Sequence, residues 1–322
     1  MNAVAALVAP PVAPSPAAKF RDPYVTAKGE RRAVVPLGAL RTLWFNTGTL
    51  CNLTCAHCYI ESSPRNDALV YLTAAEVRGY LDEVARDALP VEEIGFTGGE
   101  PFLNREMIPM LADSLGRGFR TLVLTNAMRP MMRSRDALAA LNAAHPGLLT
   151  VRVSLDHYGA ALHDLERGAS TFETTMAGLE WLAANGFRIN VAGRAAFGHE
   201  PESALRDGYA RLFAARGLPL DADDPVALML FPEMDPAAAV PEITEACWGI
   251  LNKSPDSVMC ASSRMVVRRK GAAGPAVLAC TLLAYDPGFE LGATLAEASR
   301  PVPLNHPHCA KFCVLGGAAC SR

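Results

Sequence analysis

Between residues 41 and 234 the chain alternates two kinds of hydrophobic pattern. Short, nearly continuous apolar runs recur at 41–46 (RTLWFN), 93–97 (EIGFT), 121–125 (TLVLT), 149–155 (LTVRVSL), 187–195 (FRINVAGRA) and 227–231 (ALMLF). Runs of this length, flanked by polar or turn-forming residues, predict buried strands. Between them, at 73–88, 108–115, 137–144, 171–184 and 203–215, apolar residues return every three or four positions, as on an amphipathic helix. Thr73 and Glu76 are spaced as a capping box ahead of Val77, Tyr80, Leu81 and Val84, and Asn185-Gly186 closes the fourth helix. Strands and helices in this alternation predict parallel strands joined by right-handed crossovers, in an open sheet or a barrel. A dinucleotide-binding fold is disfavoured, because no G-x-G-x-x-G opens any of these helices.

After residue 240 the rhythm changes. Residues 265–270 (MVVRRK) and 275–280 (PAVLAC) flank a Gly-rich turn and predict a β-hairpin, with a domain boundary near 240. The start, 1–22, is rich in Ala and Pro and predicts a flexible tail, or else a strap along the folded body. It lacks the charged and apolar segments of a signal peptide, so the expected location is the cytoplasm. No apolar run approaches the roughly 18 residues of a membrane span, so no membrane association is expected. With 30 basic and 33 acidic residues and no basic block, nucleic acid is not an expected partner.

Cysteine changes the picture. Of nine, three fall within 51–58 and five within 260–322, with none between Cys58 and Cys247. In a reducing compartment such clustering points to metal or catalysis rather than disulfides. Cys51, Cys55 and Cys58 can wrap three corners of one compact group, and soft thiolates suit iron–sulfur or zinc. Structural zinc normally closes with four ligands; three leave a position open to chemistry. The spacing Cys51-x3-Cys55-x2-Cys58 resembles the signature of the radical S-adenosylmethionine superfamily, with His57 where that family usually has an aromatic residue. The resemblance implies a partial (β/α)6 TIM-like barrel over roughly 41–234. It also implies a [4Fe–4S] cluster that chelates S-adenosylmethionine and reduces it to methionine and a 5′-deoxyadenosyl radical.

Downstream motifs extend the resemblance. Gly98-Gly99-Glu100-Pro101, at the end of the second predicted strand, looks like the GGEP turn whose backbone and acid hold the cofactor's amino group. Asn126 after the third strand, Ser154 and Asp156 after the fourth, and Arg194 on the fifth would contact the cofactor. Ala127 departs from the family's usual glycine. His157 and Tyr158 could reach substrate or form a surface pair, whereas His163 and Glu166 read as a solvated loop or helix face. Cys260, Cys280, Cys309 and Cys313, with Cys320 as a further candidate, resemble the auxiliary-cluster extension called SPASM or twitch, though the full SPASM pattern is absent. A zinc-stapled tail is the alternative. Cys247, beside Trp248, reads as a buried thiol. The expected function is radical hydrogen abstraction from a peptide or protein undergoing maturation, with flavodoxin or ferredoxin as electron donor. The alternatives are a small-molecule dehydrogenase or rearrangement enzyme, and a non-catalytic metal protein that binds a partner.

Overall fold

The computed structural model describes residues 19–195, 200–232 and 239–316. The elements run β1 (Val34–Val35), β2 (Thr42–Asn46), α1 (Ala74–Arg86), β3 (Glu93–Thr97), α2 (Met107–Gly116), β4 (Arg120–Thr125), α3 (Arg129–Met132) and α4 (Arg135–Ala144). They continue through β5 (Leu149–Ser154), α5 (Ala160–Arg167), α6 (Thr171–Ala184), β6 (Arg188–Arg194), α7 (Glu202–Ala215), β7 (Leu228–Phe231) and α8 (Cys247–Ile250). Four short strands follow, β8 (Ser263–Val267), β9 (Ala276–Leu278), β10 (Glu290–Gly292) and β11 (Val302–Pro303), and then a π-helix, Cys309–Leu315.

Strands β2 to β7 pair in sequence order, all parallel. Each alternates its side chains. On β2, Leu43 and Phe45 face the helical layer and join its core, while Trp44 joins a second apolar cluster inside the curved sheet with Leu122, Met265 and Val267. Gly95 makes room for that indole: a Cβ there would lie 2.4 Å from the Trp44 ring. The capping box of α1 forms as its spacing predicts, Thr73 Oγ1 accepting from the Glu76 amide and Glu76 Oε2 from the Thr73 amide.

The hairpin after residue 240 does not stand apart from the barrel. β8 pairs in parallel with β2, then antiparallel with β9, which pairs with β10, so one nine-stranded sheet runs β10-β9-β8-β2-β3-β4-β5-β6-β7. The late cysteines are thereby anchored to the strand that leads into the first cysteine loop. Of the N-terminal segment, residues 1–18 lie outside the described residues. Lys19 donates to the Val240 carbonyl (3.0 Å) and the Phe20 amide to Glu242 (2.7 Å), so the chain is tied to the body from there on. Among the described residues no helix is long and apolar enough to cross a membrane.

Candidate functional site

The last residue of each of the strands β2 to β7, Asn46, Thr97, Thr125, Ser154, Arg194 and Phe231, lines one cavity of about 200 Å³. Strand C-terminal ends are where a β/α barrel gathers side chains from distant parts of the chain. The β2–α1 loop brings Cys51, Cys55, His57 and Cys58 to the same cavity, and Gly98, Gly99, Asn126 and Asp156 also line it. Glu100 and Pro101 are buried but lie outside that lining.

The cysteine loop is held from three sides. Its own backbone donates to sulfur, Leu53 N–H to Cys51 Sγ (3.4 Å) and Ser62 N–H to Cys58 Sγ (3.3 Å). The turn after β3 docks on it through Gly99 N–H to the Gly48 carbonyl (2.8 Å) and Glu100 N–H to the Leu50 carbonyl (3.1 Å). A Cβ on Gly99 would meet the Leu50 carbonyl oxygen at 2.3 Å, and one on Gly98, at φ +151°, the Gly48 carbonyl oxygen at 2.6 Å. Gly99→Ala must therefore push the cysteine loop outward. The expected cost is about 1–3 kcal/mol, with iron retained after reconstitution falling below wild type. Unchanged thermal stability and iron content would contradict this account.

The third support is α5, which the chain's pattern did not predict. Its Glu166 carbonyl accepts from Ala56 N–H (2.9 Å), and its carboxylate accepts from His57 N–H (2.8 Å) and pairs with His57 Nδ1 (2.8 Å). Arg194 Nη1 donates to both the His57 carbonyl and Glu166 Oε1, each at 3.0 Å, and its guanidinium lies over the Tyr59 ring. His163 and Glu166, expected on a solvated face, are instead buried. The reason is that Ala160–Arg167 folds as a helix that turns Glu166 toward the cysteine loop and packs the His163 ring edge-on against Phe172. His157 is buried as well, its Nδ1 accepting from the Gly159 amide (2.8 Å), while Tyr158 donates to Glu200 (2.9 Å). Neither ring lines the cavity.

Arg167 is a charged cavity residue that sequence reasoning missed. It grips Asp156 with two hydrogen bonds, 2.7 and 3.0 Å, in a pair shielded from water. Burial pulls its pKa down, but the Asp156 carboxylate raises it, and the guanidinium is held charged. Two signals could have located it: the helix formers of AALHDLER and the Gly168 stop behind them.

Glu100 braces the third strand end from below. Its carboxylate accepts from the Thr125 hydroxyl (2.8 and 3.0 Å), Asn126 N–H (2.9 Å) and Phe102 N–H (3.2 Å). Burial nevertheless pushes its pKa up to about 7. The folded state then holds this proton more tightly than the unfolded chain. Stability from Glu100 is full below the ordinary carboxylate range and is lost as pH rises through about 7, of order 3 kcal/mol for a shift of this size. Glu100→Gln is expected to flatten the fall in unfolding midpoint between roughly pH 5 and 8 in the metal-free protein; an equally steep fall in the variant would refute the assignment. Next to it, Ala127 takes the left-handed backbone (φ 56°) that a glycine adopts at no steric cost.

The donor set fits an iron–sulfur cluster. Three thiols line one cavity, and a polynuclear cluster asks for one thiolate per iron. Burial raises the Cys51 pKa to about 12 and raises that of Cys55, so both thiols stay protonated until a metal displaces the proton.

A second cavity, of about 20 Å³, is lined by Cys260, Cys280, Cys309 and Cys313 together with His308. Burial pushes the Cys260 thiol up to about 11 and the Cys309 thiol well above its ordinary value. Leu282 lines both cavities. Cys247 lines neither; it is half-buried, with its sulfur 3.4 Å from the Thr244 amide nitrogen and hydroxyl. Cys320 lies outside the described residues.

The sequence pattern of the radical SAM superfamily matches residues 45–209, just over half of the chain. The chain belongs to the radical S-adenosylmethionine superfamily. Members of this superfamily use a [4Fe–4S] cluster and S-adenosylmethionine, and the thiols, glycines and strand ends described above suit both. Among curated relatives, the chain is 34% identical over 144 residues to GTP 3′,8-cyclase of Synechococcus elongatus, covering 44% of this chain and 41% of that protein. It is 30% identical over 169 residues to the antilisterial bacteriocin subtilosin biosynthesis protein AlbA of Bacillus subtilis, covering 52% and 35%. The chain thus spans less than half the length of these relatives. In fold it is similar to Streptococcus suis SuiB bound to S-adenosylmethionine, with a TM-score of 0.58 at 13% identity over 79% of this chain and 63% of that one.

Proposed function

We propose that this radical SAM protein holds its cluster on Cys51, Cys55 and Cys58, binds S-adenosylmethionine in the cavity beside it, and abstracts hydrogen from a peptide substrate. The observation that carries the reading is the convergence of three thiols, two cavity-lining glycines and all six strand ends on one cavity. When bound, the cluster and cofactor supply an electron and a carbon radical able to take a hydrogen atom. The protein's own residues do the positioning. Gly98 and Gly99 line the cavity without side chains, Asn126 and Ser154 offer polar contacts, and Arg167 and Arg194 line it as well. Both are already paired, Arg194 with Glu166 and the His57 carbonyl and Arg167 with Asp156, and both are candidates for the cofactor's carboxylate. Asp156 orients Arg167, and the Glu166 clamp holds the loop between Cys55 and Cys58.

The later cysteines are read as ligands of an auxiliary cluster in residues 241–322, and the barrel as residues 23–240. A peptide substrate is favoured because AlbA, by its name, serves the biosynthesis of a bacteriocin, and a SuiB structure carries the precursor peptide SuiA. GTP 3′,8-cyclase supports the small-molecule alternative. Flavodoxin or ferredoxin is the proposed electron source. The test is anaerobic reconstitution with iron and sulfide, reduction, and addition of S-adenosylmethionine. The expected result is 5′-deoxyadenosine, with iron and sulfide near two clusters per chain. A fully loaded, reducible first cluster that cleaves nothing would sink the radical reading; zinc in the second cavity would remove the auxiliary cluster alone.

A further inference from the structure

We propose that His308 donates a hydrogen bond from its imidazole to the sulfur of the group held by Cys260, Cys280, Cys309 and Cys313; this rests on reading the second cavity as an iron–sulfur site. The His308 ring lines that cavity with the four thiols. Its Nδ1 is buried and has no hydrogen-bond partner. A buried ring nitrogen left unsatisfied is costly, so native structures pair such groups. Apart from the thiols and His308, the lining is aliphatic, aromatic or methionine, so sulfur chemistry is what the cavity offers the ring.

The ring is also held in place. His308 N–H donates to His306 Nδ1 (3.1 Å), the two rings meet edge to face at 4.6 Å, and His306 in turn packs edge-on against Phe289 at 6.2 Å. The chain then enters the wide π-helix Cys309–Leu315, which carries Cys309 and Cys313. Such irregular turns are frequent at functional sites. Four thiolates already supply one ligand per iron of a four-iron cluster, so a nitrogen ligand would displace a cysteine, whereas a neutral imidazole still has an N–H to give. Hydrogen bonds to cluster sulfur stabilise the more negative reduced state and set the potential upward.

The test uses the full chain with Cys51, Cys55 and Cys58 all replaced by Ala, so that iron is confined to the second cavity. In redox titrations followed by electron paramagnetic resonance, His308→Leu is expected to shift the midpoint to a more negative potential at unchanged iron content. His308→Gln keeps an N–H donor and is expected to fall between the two. With ¹⁵N-histidine labelling, pulsed spectra are expected to show a weak nitrogen coupling that His308→Leu removes. An unchanged midpoint or an absent coupling overturns the proposal, as does a strong coupling accompanied by iron loss in His308→Leu, which would mean direct ligation. Should His308→Leu fail to fold, the Gln variant and the coupling in unsubstituted protein decide. Failure of the underlying reading looks different: the triple variant would hold zinc or no iron.

Discussion

Cys55→Ala, reconstituted without oxygen, is expected to form no 5′-deoxyadenosine above the protein-free background. Cys55 lies in the middle of the cysteine loop, is half-buried, and lines the cavity together with Asp156 and Arg167. Losing an outer residue that merely orients a metal ligand costs roughly 10–100-fold in metal affinity or activity. Losing a direct ligand should cost more, and here it also removes one of only three thiolates. The loss should be specific. The C-terminal cavity draws on other parts of the chain, so the variant is expected to keep the iron bound there and an unfolding transition close to wild type. Iron analysis and calorimetry check both points. Wild-type turnover in Cys55→Ala would mean that the cluster, if present, is held elsewhere.

Arg167→Leu is expected to be the most damaging substitution outside the cysteines. Arg167 and Asp156 form a two-pronged pair with side chains 14% and 5% exposed. Removing one partner strands a buried carboxylate, an effect of about 3–5 kcal/mol where it has been seen. Denaturant unfolding of the metal-free protein should show the loss. A second variant separates packing from ligand binding. Replacing both partners, Arg167→Leu with Asp156→Leu, leaves no orphaned charge and should restore much of the stability. It should not restore S-adenosylmethionine binding measured by equilibrium dialysis, because the guanidinium on the cavity wall is still missing. Full recovery of both stability and binding would reduce Arg167 to a structural role.

The comparison of chain and fold is uneven in an instructive way. The six parallel strands match the expected runs to within a residue or two, and helices α1, α2, α4, α6 and α7 fall where their periodicity predicts. Those signals are local: a buried strand needs an apolar run, and a helix needs an apolar stripe and a cap. The cysteine spacing and the Gly98–Pro101 turn were equally legible, because both are short and chemically unusual. Helix α5 was not, since its eight residues bury His163 and Glu166 where a solvated helix would bury leucines. The hairpin was recognised, but its place was not. Nothing in residues 263–267 announces that they will pair with residues 42–45, more than two hundred positions earlier.

The chain alone therefore settled the six strands β2 to β7 and five of the helices, that three thiols share one loop, and which superfamily the chain resembles. Folding determined how the loop is held and what faces it. Arg194 meets the His57 carbonyl across 137 positions and Glu166 reaches the His57 amide across 109. Contacts of that range depend on strand register and on which face a helix turns inward, and both follow from the packing of the whole sheet rather than from any local pattern. For the same reason the two cysteine groups, distant in sequence, meet at a common wall in Leu282.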